Sequence, residues 1–178
     1  MKKKLPFTIN FLKKLNRLCI FINLICVYFC IISGLFLVGI IVIEVIFRYL
    51  IGSALSWPEE IAGFLFVWFS MLGAAICLFK KSHINVTFLV IKFNSQWRFL
   101  IQTLVHVLII FISYILLERG NFLLGIVSRQ FSAAARINMV WEYSVIPIMG
   151  GIFILYSIVS ILNSIFTGDD SIRGDLGL

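Results

Sequence analysis

Charged residues are scarce in this chain, and four long stretches contain none. Only 13% of the 178 residues are charged and 61% are hydrophobic, with a mean hydropathy of +1.08, whereas soluble proteins carry about 25% charged residues. A helix of roughly 20 apolar residues spans the hydrocarbon core of a bilayer. We therefore predict an all-α integral membrane protein with four transmembrane helices, built on the uncharged stretches at residues 18–43, 61–79, 99–117 and 144–166.

The connections between these stretches are too short to hold a soluble domain, so we predict a single membrane domain over 1–178. Segment 1–17 interleaves Phe and Leu with Lys and Arg, which fits an interfacial amphipathic helix or a disordered basic tail, and we favour the helix. The apolar NFLLGIV at 121–127 either continues the third helix or lies along the membrane surface. The tail at 167–178 is polar and expected to be poorly ordered. The helices themselves are expected at residues 18–47, 57–79, 97–120 and 140–166.

No Asp, Glu, Lys or Arg lies within any of the four spans. Charges at this depth are costly, and pumps and coupled transporters carry them for their function. The chain alone is therefore not expected to couple an ion gradient to transport, and we do not predict an enzyme. A small four-helix multidrug exporter is an alternative class, although it would carry a membrane-embedded carboxylate that is missing here.

The histidines and cysteines do not have the spacing of a cofactor or metal site. Haem ligation by two histidines needs both at similar depth, but His106 lies in the third span and His83, the only other histidine, lies in a basic loop. The four cysteines lie in or beside apolar spans without a C-x-x-C pair, so no disulfide framework is implied. We predict no cofactor, and a membrane anchor of a respiratory complex stays an alternative.

The distribution of positive charge predicts the orientation of the chain. Eleven of the fifteen lysines and arginines lie before the first span, in the second loop or after the last span. Both termini should therefore be cytoplasmic in a bacterial inner membrane, with the loop at 53–60 in the periplasm. The net charge of +7 thus reflects membrane topology and does not indicate binding to nucleic acid.

Two adjacent carboxylates open the second span in the sequence SWPEE. Ser56 and Glu59 have the S-x-x-E spacing of a capping box. Pro58 is tolerated in a first helical turn, and Trp57 suits the membrane interface. Glu60 is not needed for the box. We interpret it as a charge that complements the helix dipole, as a contact for a cation or partner protein, or as both.

Other residues predict contacts within the chain. Glu44 and Arg48 are spaced i, i+4 with the acid first, which favours an ion pair that extends the first helix beyond its apolar core. The third span carries Gln102, His106 and Ser113 on one face, which we interpret as interhelical hydrogen-bonding groups. Close helix packing is expected at small residues, namely Ser70, Gly73, Ala74 and Ala75 in the second span and Gly150 and Gly151 in the fourth.

Two blocks carry an ordered set of motifs. The first block, residues 44–89, contains an Arg-Tyr pair, a Trp-x-Glu-Glu, a Trp in the following helix, a Gly-Ala-Ala step and a basic loop with His-Ile-x-Val. The second block, FSAAARINMVWEYSVIPIMGG, holds a Trp-x-Tyr-x-x-Ile-Pro-x-x-Gly pattern. The positions concerned are Arg48, Tyr49, Trp57, Glu59, Glu60, Trp68, Gly73–Ala75 and His83–Val86 in the first block and Ser132, Ile137, Trp141, Tyr143, Ile146, Pro147 and Gly150 in the second.

Both blocks resemble the small membrane subunit of tripartite ATP-independent periplasmic (TRAP) transporters, the DctQ-like family. The chain departs from the family pattern at Ala133 and Asn138, where prolines are expected, and at Thr87, where the family often has Asp. These departures bear on the local shape of the loops.

The resemblance implies a non-catalytic subunit of a secondary importer. It would pair with a large permease subunit, while a periplasmic solute-binding protein delivers an organic acid such as a C4-dicarboxylate or sialic acid, driven by a Na⁺ or H⁺ gradient. The structural or partner-contact positions would be Glu44, Arg48, Tyr49, Ser56, Trp57, Glu59, Glu60, Trp68, Gly73, His83, Trp141, Tyr143 and Pro147. The carboxylates of SWPEE would then cap the second helix and present an acidic periplasmic edge where a partner docks.

Overall fold

A computed structural model describes residues 6–53, 55–80 and 95–167. Four helices in these ranges are long and apolar enough to cross a membrane, which confirms the predicted fold class. The orientation of the termini stays a prediction. The helices are α1 (Pro6–Ile46), which continues into a π-helical turn (Phe47–Ile51), α2 (Trp57–Phe79), α3 (Ser95–Val127), a short α4 (Val140–Tyr143) and α5 (Val145–Thr167).

The first helix is much longer than a bilayer is thick. Its 41 residues correspond to about 60 Å, twice the roughly 30 Å of the hydrocarbon core. The described part of the basic N-terminal segment is helical, as favoured, but it forms the first turns of α1 and not a separate helix. Leu12 is buried within the chain, so tertiary packing extends α1 in this direction. The third helix also continues through 121–127.

The helix α5 lies at the centre of the bundle. It packs against α1, α2 and α3, while α1 packs mainly along α2. In the most apolar 18-residue part of its span 39% of the residues are buried within the chain, compared with 6% for α3. The outer helices α1 and α3 leave many large apolar side chains exposed. The shared core consists of Cys19, Cys26, Leu72, Ala75, Leu78, Val145, Met149, Tyr156 and Val159.

Helices α3 and α5 approach closely at glycine, as predicted for Gly150. A Cβ placed on Gly150 would lie 2.9 Å from the carbonyl oxygen of Ser113 and 3.1 Å from the backbone nitrogen of Leu117. On α2, Ala75 is fully buried. The expected close packing at Gly73 is wrong within this chain, because a Cβ there would meet nothing within 4 Å. This face of α2 is open because α1 and α5 pack on its other sides.

An asparagine pair joins the first and last long helices and was missed from the sequence. The Asn163 side-chain amide donates to Asn16 Oδ1 at 2.8 Å, and the Asn16 amide donates to Asn163 Oδ1 at 3.3 Å. Each amide therefore offers one donor and one acceptor to the other. Because the residues lie 147 positions apart, no local pattern indicates the pairing.

The asparagine pair is expected to stabilise the contact between α1 and α5 modestly. In a double-mutant cycle of Asn16→Ala and Asn163→Ala, we expect a coupling of about 0.6 kcal/mol, and at most about 1.7 kcal/mol, as for other hydrogen bonds between membrane helices. The measurement is the free energy of unfolding in detergent micelles, taken for the unchanged chain, the two single variants and the double variant. Strictly additive single substitutions would contradict the pairing.

Candidate functional site

The connection between α3 and α4, which we call the α3–α4 loop (residues 128–139), has an ordered hydrogen-bonded shape. Phe131 and Asn138 form an antiparallel bridge. The backbone N–H of Ser132 donates to the Ile137 carbonyl oxygen at 2.9 Å, and that of Met139 donates to the Gln130 carbonyl oxygen at 3.0 Å. The loop is therefore a hairpin held by its own backbone.

Asn138 fastens this hairpin to both neighbouring helices. Its side-chain nitrogen donates to the Ser128 carbonyl oxygen at 3.0 Å, next to the end of α3, and its Oδ1 accepts from the backbone N–H of Val140 at 2.9 Å, where α4 begins. Proline at this position, as the family pattern expects, has no polar side-chain atom and makes neither bond. Asn138 thus defines the local shape of the loop by a different means.

The carboxylate of Glu60 holds the tip of the loop. The backbone N–H of Ala134 donates to Oε1 at 3.0 Å and to Oε2 at 3.1 Å, and the N–H of Ala135 donates to Oε2 at 2.9 Å. Hydrogen bonds to an ionised acceptor are stronger than those between neutral groups. Glu60 therefore ties the start of α2 to a loop more than 70 residues later in the chain, while the acidic edge that Glu59 and Glu60 present to a partner stays a prediction.

The backbone next to these donors adopts an uncommon conformation. Arg136 has φ of +52°, and it is the only residue other than glycine with positive φ in the described ranges. This left-handed conformation costs an L-residue roughly 1–2 kcal/mol. The loop is thus strained where Glu60 holds it, and the carboxylate offsets this cost.

The capping box predicted at the start of α2 is wrong. The Ser56 side chain makes no capping hydrogen bond, and its backbone, at φ −88° and ψ −26°, is already near helical values, whereas a typical N-cap residue is extended. Pro58 removes one of the two N–H groups that a cap can reach. Of the two acids, Glu60 makes the structural contact, and the side chain of Glu59 is exposed.

Trp68 provides a second tie between α2 and the same region. Its indole Nε1 donates to the Trp141 carbonyl oxygen in α4 at 2.9 Å. The Trp141 ring itself is exposed, so Trp141 contributes its backbone to the tie. The backbone N–H of Tyr143 donates to the Met139 carbonyl oxygen at 3.1 Å, and this closes α4 onto the loop.

Pro147 packs near the beginning of α5. A Cβ on Gly120 of α3 would lie only 2.8 Å from its Cδ, so α3 and α5 are in close contact directly below the loop. His83 lies outside the described residues. Within the described ranges, no group of three His, Cys, Asp or Glu side chains is placed as metal ligands would be.

The end of α1 forms the predicted ion pair. Arg48 Nη2 and Glu44 Oε1 are 2.7 Å apart. Arg48 is the second residue of the π-helical turn, and Gly52, with φ of +71°, follows the turn. Glycine is suited to this left-handed position. Tyr49 lies in this turn with its side chain exposed and none of the turn's residues is buried. Trp57, after the turn, is also exposed.

Four apolar helices with uncharged spans and an ordered loop tied to one end define a multi-pass membrane protein. The model of the tripartite ATP-independent periplasmic transporters, DctQ component, matches residues 37–167, and the chain belongs to this family. The resemblance noted in the sequence is confirmed. The protein is therefore a transporter component of the bacterial inner membrane and not an enzyme.

Three relatives show where the similarity lies. A sialic acid TRAP transporter permease protein of Haemophilus influenzae (strain 86-028NP) is 26% identical over 111 residues, 62% of this chain and 18% of its own length. A TRAP transporter small permease protein of H. influenzae (strain Rd) is 31% identical over 105 residues, 58% of this chain and 65% of its own. A sialic acid TRAP transporter small permease protein of Vibrio cholerae is 35% identical over 51 residues, 29% of this chain and 30% of its own. In each case the similarity spans less than two thirds of the relative.

Proposed function

We propose that this chain is the small accessory subunit of a TRAP importer, which pairs with a large permease subunit and supports the gradient-driven uptake of an organic acid. The observation that carries this proposal is the lack of any charged residue in the four spans, combined with the many large apolar side chains that α1 and α3 leave exposed. A chain of this kind stabilises a partner but offers no group to couple an ion gradient.

The exposed surface of the outer helices supports pairing with another membrane protein. In the most apolar 18-residue part of each helix, only 6% of the residues of α3 and 11% of those of α1 are buried within the chain. One relative is named as a permease protein, and the part similar to this chain is 18% of it. We infer that the remaining part of that relative corresponds to a separate polypeptide, the large permease subunit, with which this chain pairs.

The α3–α4 loop supports a contact with a soluble solute-binding protein. Glu60 and Trp68 hold this loop at the end of the bundle where α2 begins, and we place that end in the periplasm from the distribution of basic residues. The loop carries Arg129 and Arg136 and no acid, and both side chains are exposed together with Phe131. A preorganised surface of this kind favours docking, because little order has to be gained on binding.

The substrate is proposed as an organic acid. Two relatives are named for sialic acid transport, so sialic acid is the first candidate, with C4-dicarboxylates as the second. Na⁺ or H⁺ would drive uptake. The spans of this chain offer no charged group to an ionised substrate or to a proton, so we propose that substrate and coupling ion bind in the large permease.

Reconstitution in liposomes tests the proposed function. The chain, a large TRAP permease subunit from the same organism and a solute-binding protein are purified and combined. Uptake of radiolabelled sialic acid is then measured under an imposed Na⁺ or H⁺ gradient. We expect uptake only when all three proteins are present, with a labelled C4-dicarboxylate as the second substrate tested. Uptake by this chain alone, or full uptake by the permease and binding protein without it, would contradict the proposal.

A further inference from the structure

The π-helical turn at the end of α1 exposes more apolar surface than its position explains. Leu50 and Tyr49 are 81% and 77% exposed, the highest values among the large hydrophobic side chains of the described residues, and Ile51 is 58% exposed. The turn contains Arg48, which pairs with Glu44 of α1, and the three exposed apolar residues come directly after Arg48. Contiguous apolar surface on the polar side of an ion pair indicates a binding surface.

Contacts between α1 and α2 show how far the turn extends. Cys30 Sγ lies 3.9 Å from the Phe69 carbonyl oxygen, and a Cβ on Gly34 would lie 3.0 Å from the Phe69 ring, so Phe69 is level with residues 30–34 of α1. The two helices run in opposite directions, so the start of α2 at Trp57, about 18 Å from Phe69 along the axis, is level with a point near residue 44 of α1. The turn therefore lies about 5–10 Å beyond the start of α2.

Lipid tails are a poor match for this turn. The first turn of α2 contains Glu59 and Glu60, and charged side chains mark the boundary of the hydrocarbon core. The π-helical turn lies past that level and would face headgroups or water unless a protein covers it. Apolar surface left in water costs about 25 cal/mol per Å², so a protein partner at this place gains directly from contact.

The apolar surface is continuous from the turn down into the membrane. Exposed side chains follow one another at steps of three and four residues, which places them on one side of α1. They are Leu35, Val38, Val42, Val45 and Tyr49. A partner that covers this stripe has to be apolar both at membrane depth and beyond the membrane surface. A soluble protein covers apolar surface only beyond the membrane surface, and a lipid covers it only at membrane depth.

We propose that the π-helical turn and the exposed stripe of α1 dock against the large permease subunit, with Tyr49 and Leu50 in contact with a part of the permease that rises out of the membrane. This rests on the proposed function and adds the surface that the partner occupies. The relative in which a segment similar to this chain belongs to a longer permease polypeptide supports the permease as the occupant.

Photo-crosslinking tests this contact in the assembled complex. We replace Tyr49, and separately Leu50, by p-benzoylphenylalanine in the full chain, co-express it with a large TRAP permease subunit from the same organism, and irradiate the membranes. The substitution at Tyr49 should perturb the structure less than that at Leu50, because one aromatic side chain replaces another. Phe131 of the α3–α4 loop, which is also exposed, is the matched control at the same end of the bundle. The expected result is a permease adduct from residues 49 and 50, at least about five times stronger than from residue 131.

Any other outcome contradicts either the docking surface or the pairing with the permease. If the permease copurifies with the chain but residues 49 and 50 crosslink to lipid, to the binding protein or to nothing, the docking surface is wrong and the proposed pairing stands. If the permease does not copurify with the unchanged chain, the pairing itself is wrong and the docking surface falls with it. As an independent measurement, Leu50→Asp is expected to reduce copurified permease at least about tenfold. Phe11→Asp, at an exposed position near the opposite end of α1, should leave it unchanged, and equal recovery from both would overturn the proposal.

Discussion

Gly150→Ala is expected to lower the stability of this protein through a single methyl group. The added Cβ would lie 2.9 Å from the carbonyl oxygen of Ser113 and 3.1 Å from the backbone nitrogen of Leu117. These are backbone atoms of α3, so no side chain can rotate away and α3 and α5 have to separate. Overpacking of this kind typically costs about 1–3 kcal/mol. The contact lies against the central helix of the bundle, so the cost affects the whole fold.

The neighbouring glycine provides the matched control. A Cβ on Gly151 would lie 3.9 Å from its nearest neighbour, Leu117 Cδ1, which is an ordinary contact. Both substitutions bring the same gain in helix propensity, up to about 1 kcal/mol. The stability of Gly150→Ala should therefore fall below that of Gly151→Ala by about 1–3 kcal/mol, measured by unfolding in mixed micelles. Equal stability of the two variants would show that α3 and α5 do not approach closely at Gly150.

The sequence predicts the helices well because a bilayer imposes a simple requirement. About 20 consecutive apolar residues without charge are nearly sufficient evidence for a span. The four uncharged stretches lie within helices of the structure, except Ser144, which lies between α4 and α5. The Glu44–Arg48 pair was also accessible, since its spacing places both side chains on one face of a single helix. In both cases the information is local in the sequence.

The contact of Glu60 with the α3–α4 loop could not be derived in the same way. Its partners are backbone N–H groups of alanine, 74 and 75 residues away, and alanine has no polar side-chain atom to signal this. The S-x-x-E pattern instead drew attention to Ser56 and Glu59. That local motif failed because Ser56 is already near helical backbone values, and the acid outside the motif proved to be the one with a structural partner.

The extent of α1 depended on tertiary packing. The basic and apolar residues before residue 18 fit an interfacial helix equally well. The burial of Leu12 and the bond from Asn16 to Asn163 decide in favour of a continuous helix, because both place this segment against the bundle. Neither contact has a pattern in the sequence that would identify it.

Glu60→Ala is expected to release the α3–α4 loop and to impair uptake by the assembled transporter. Alanine removes both oxygens that accept from Ala134 and Ala135, and it leaves the left-handed conformation of Arg136 without the bonds that offset its cost. Amide hydrogen exchange at Ala134 and Ala135 should accelerate about tenfold or more. Glu60→Gln keeps one acceptor oxygen, so its amide exchange rates should fall between those of the unchanged chain and those of Glu60→Ala.

Glu59→Ala is the control for charge, because it removes one carboxylate from the same helical turn while its side chain is exposed and the bonds to the loop stay in place. Uptake is measured in the reconstituted three-protein system at matched protein levels, over a range of binding-protein concentrations. If the ordered loop is where the binding protein docks, Glu60→Ala should raise the concentration needed for half-maximal uptake several-fold, whereas Glu59→Ala should not. A lower maximal rate of uptake, with no change in the binding-protein concentration needed for half-maximal uptake, would place the effect at the permease contact instead. Unchanged exchange rates of the Ala134 and Ala135 amides in Glu60→Ala would show that this carboxylate does not hold the loop, because these two amides are the donors to Glu60.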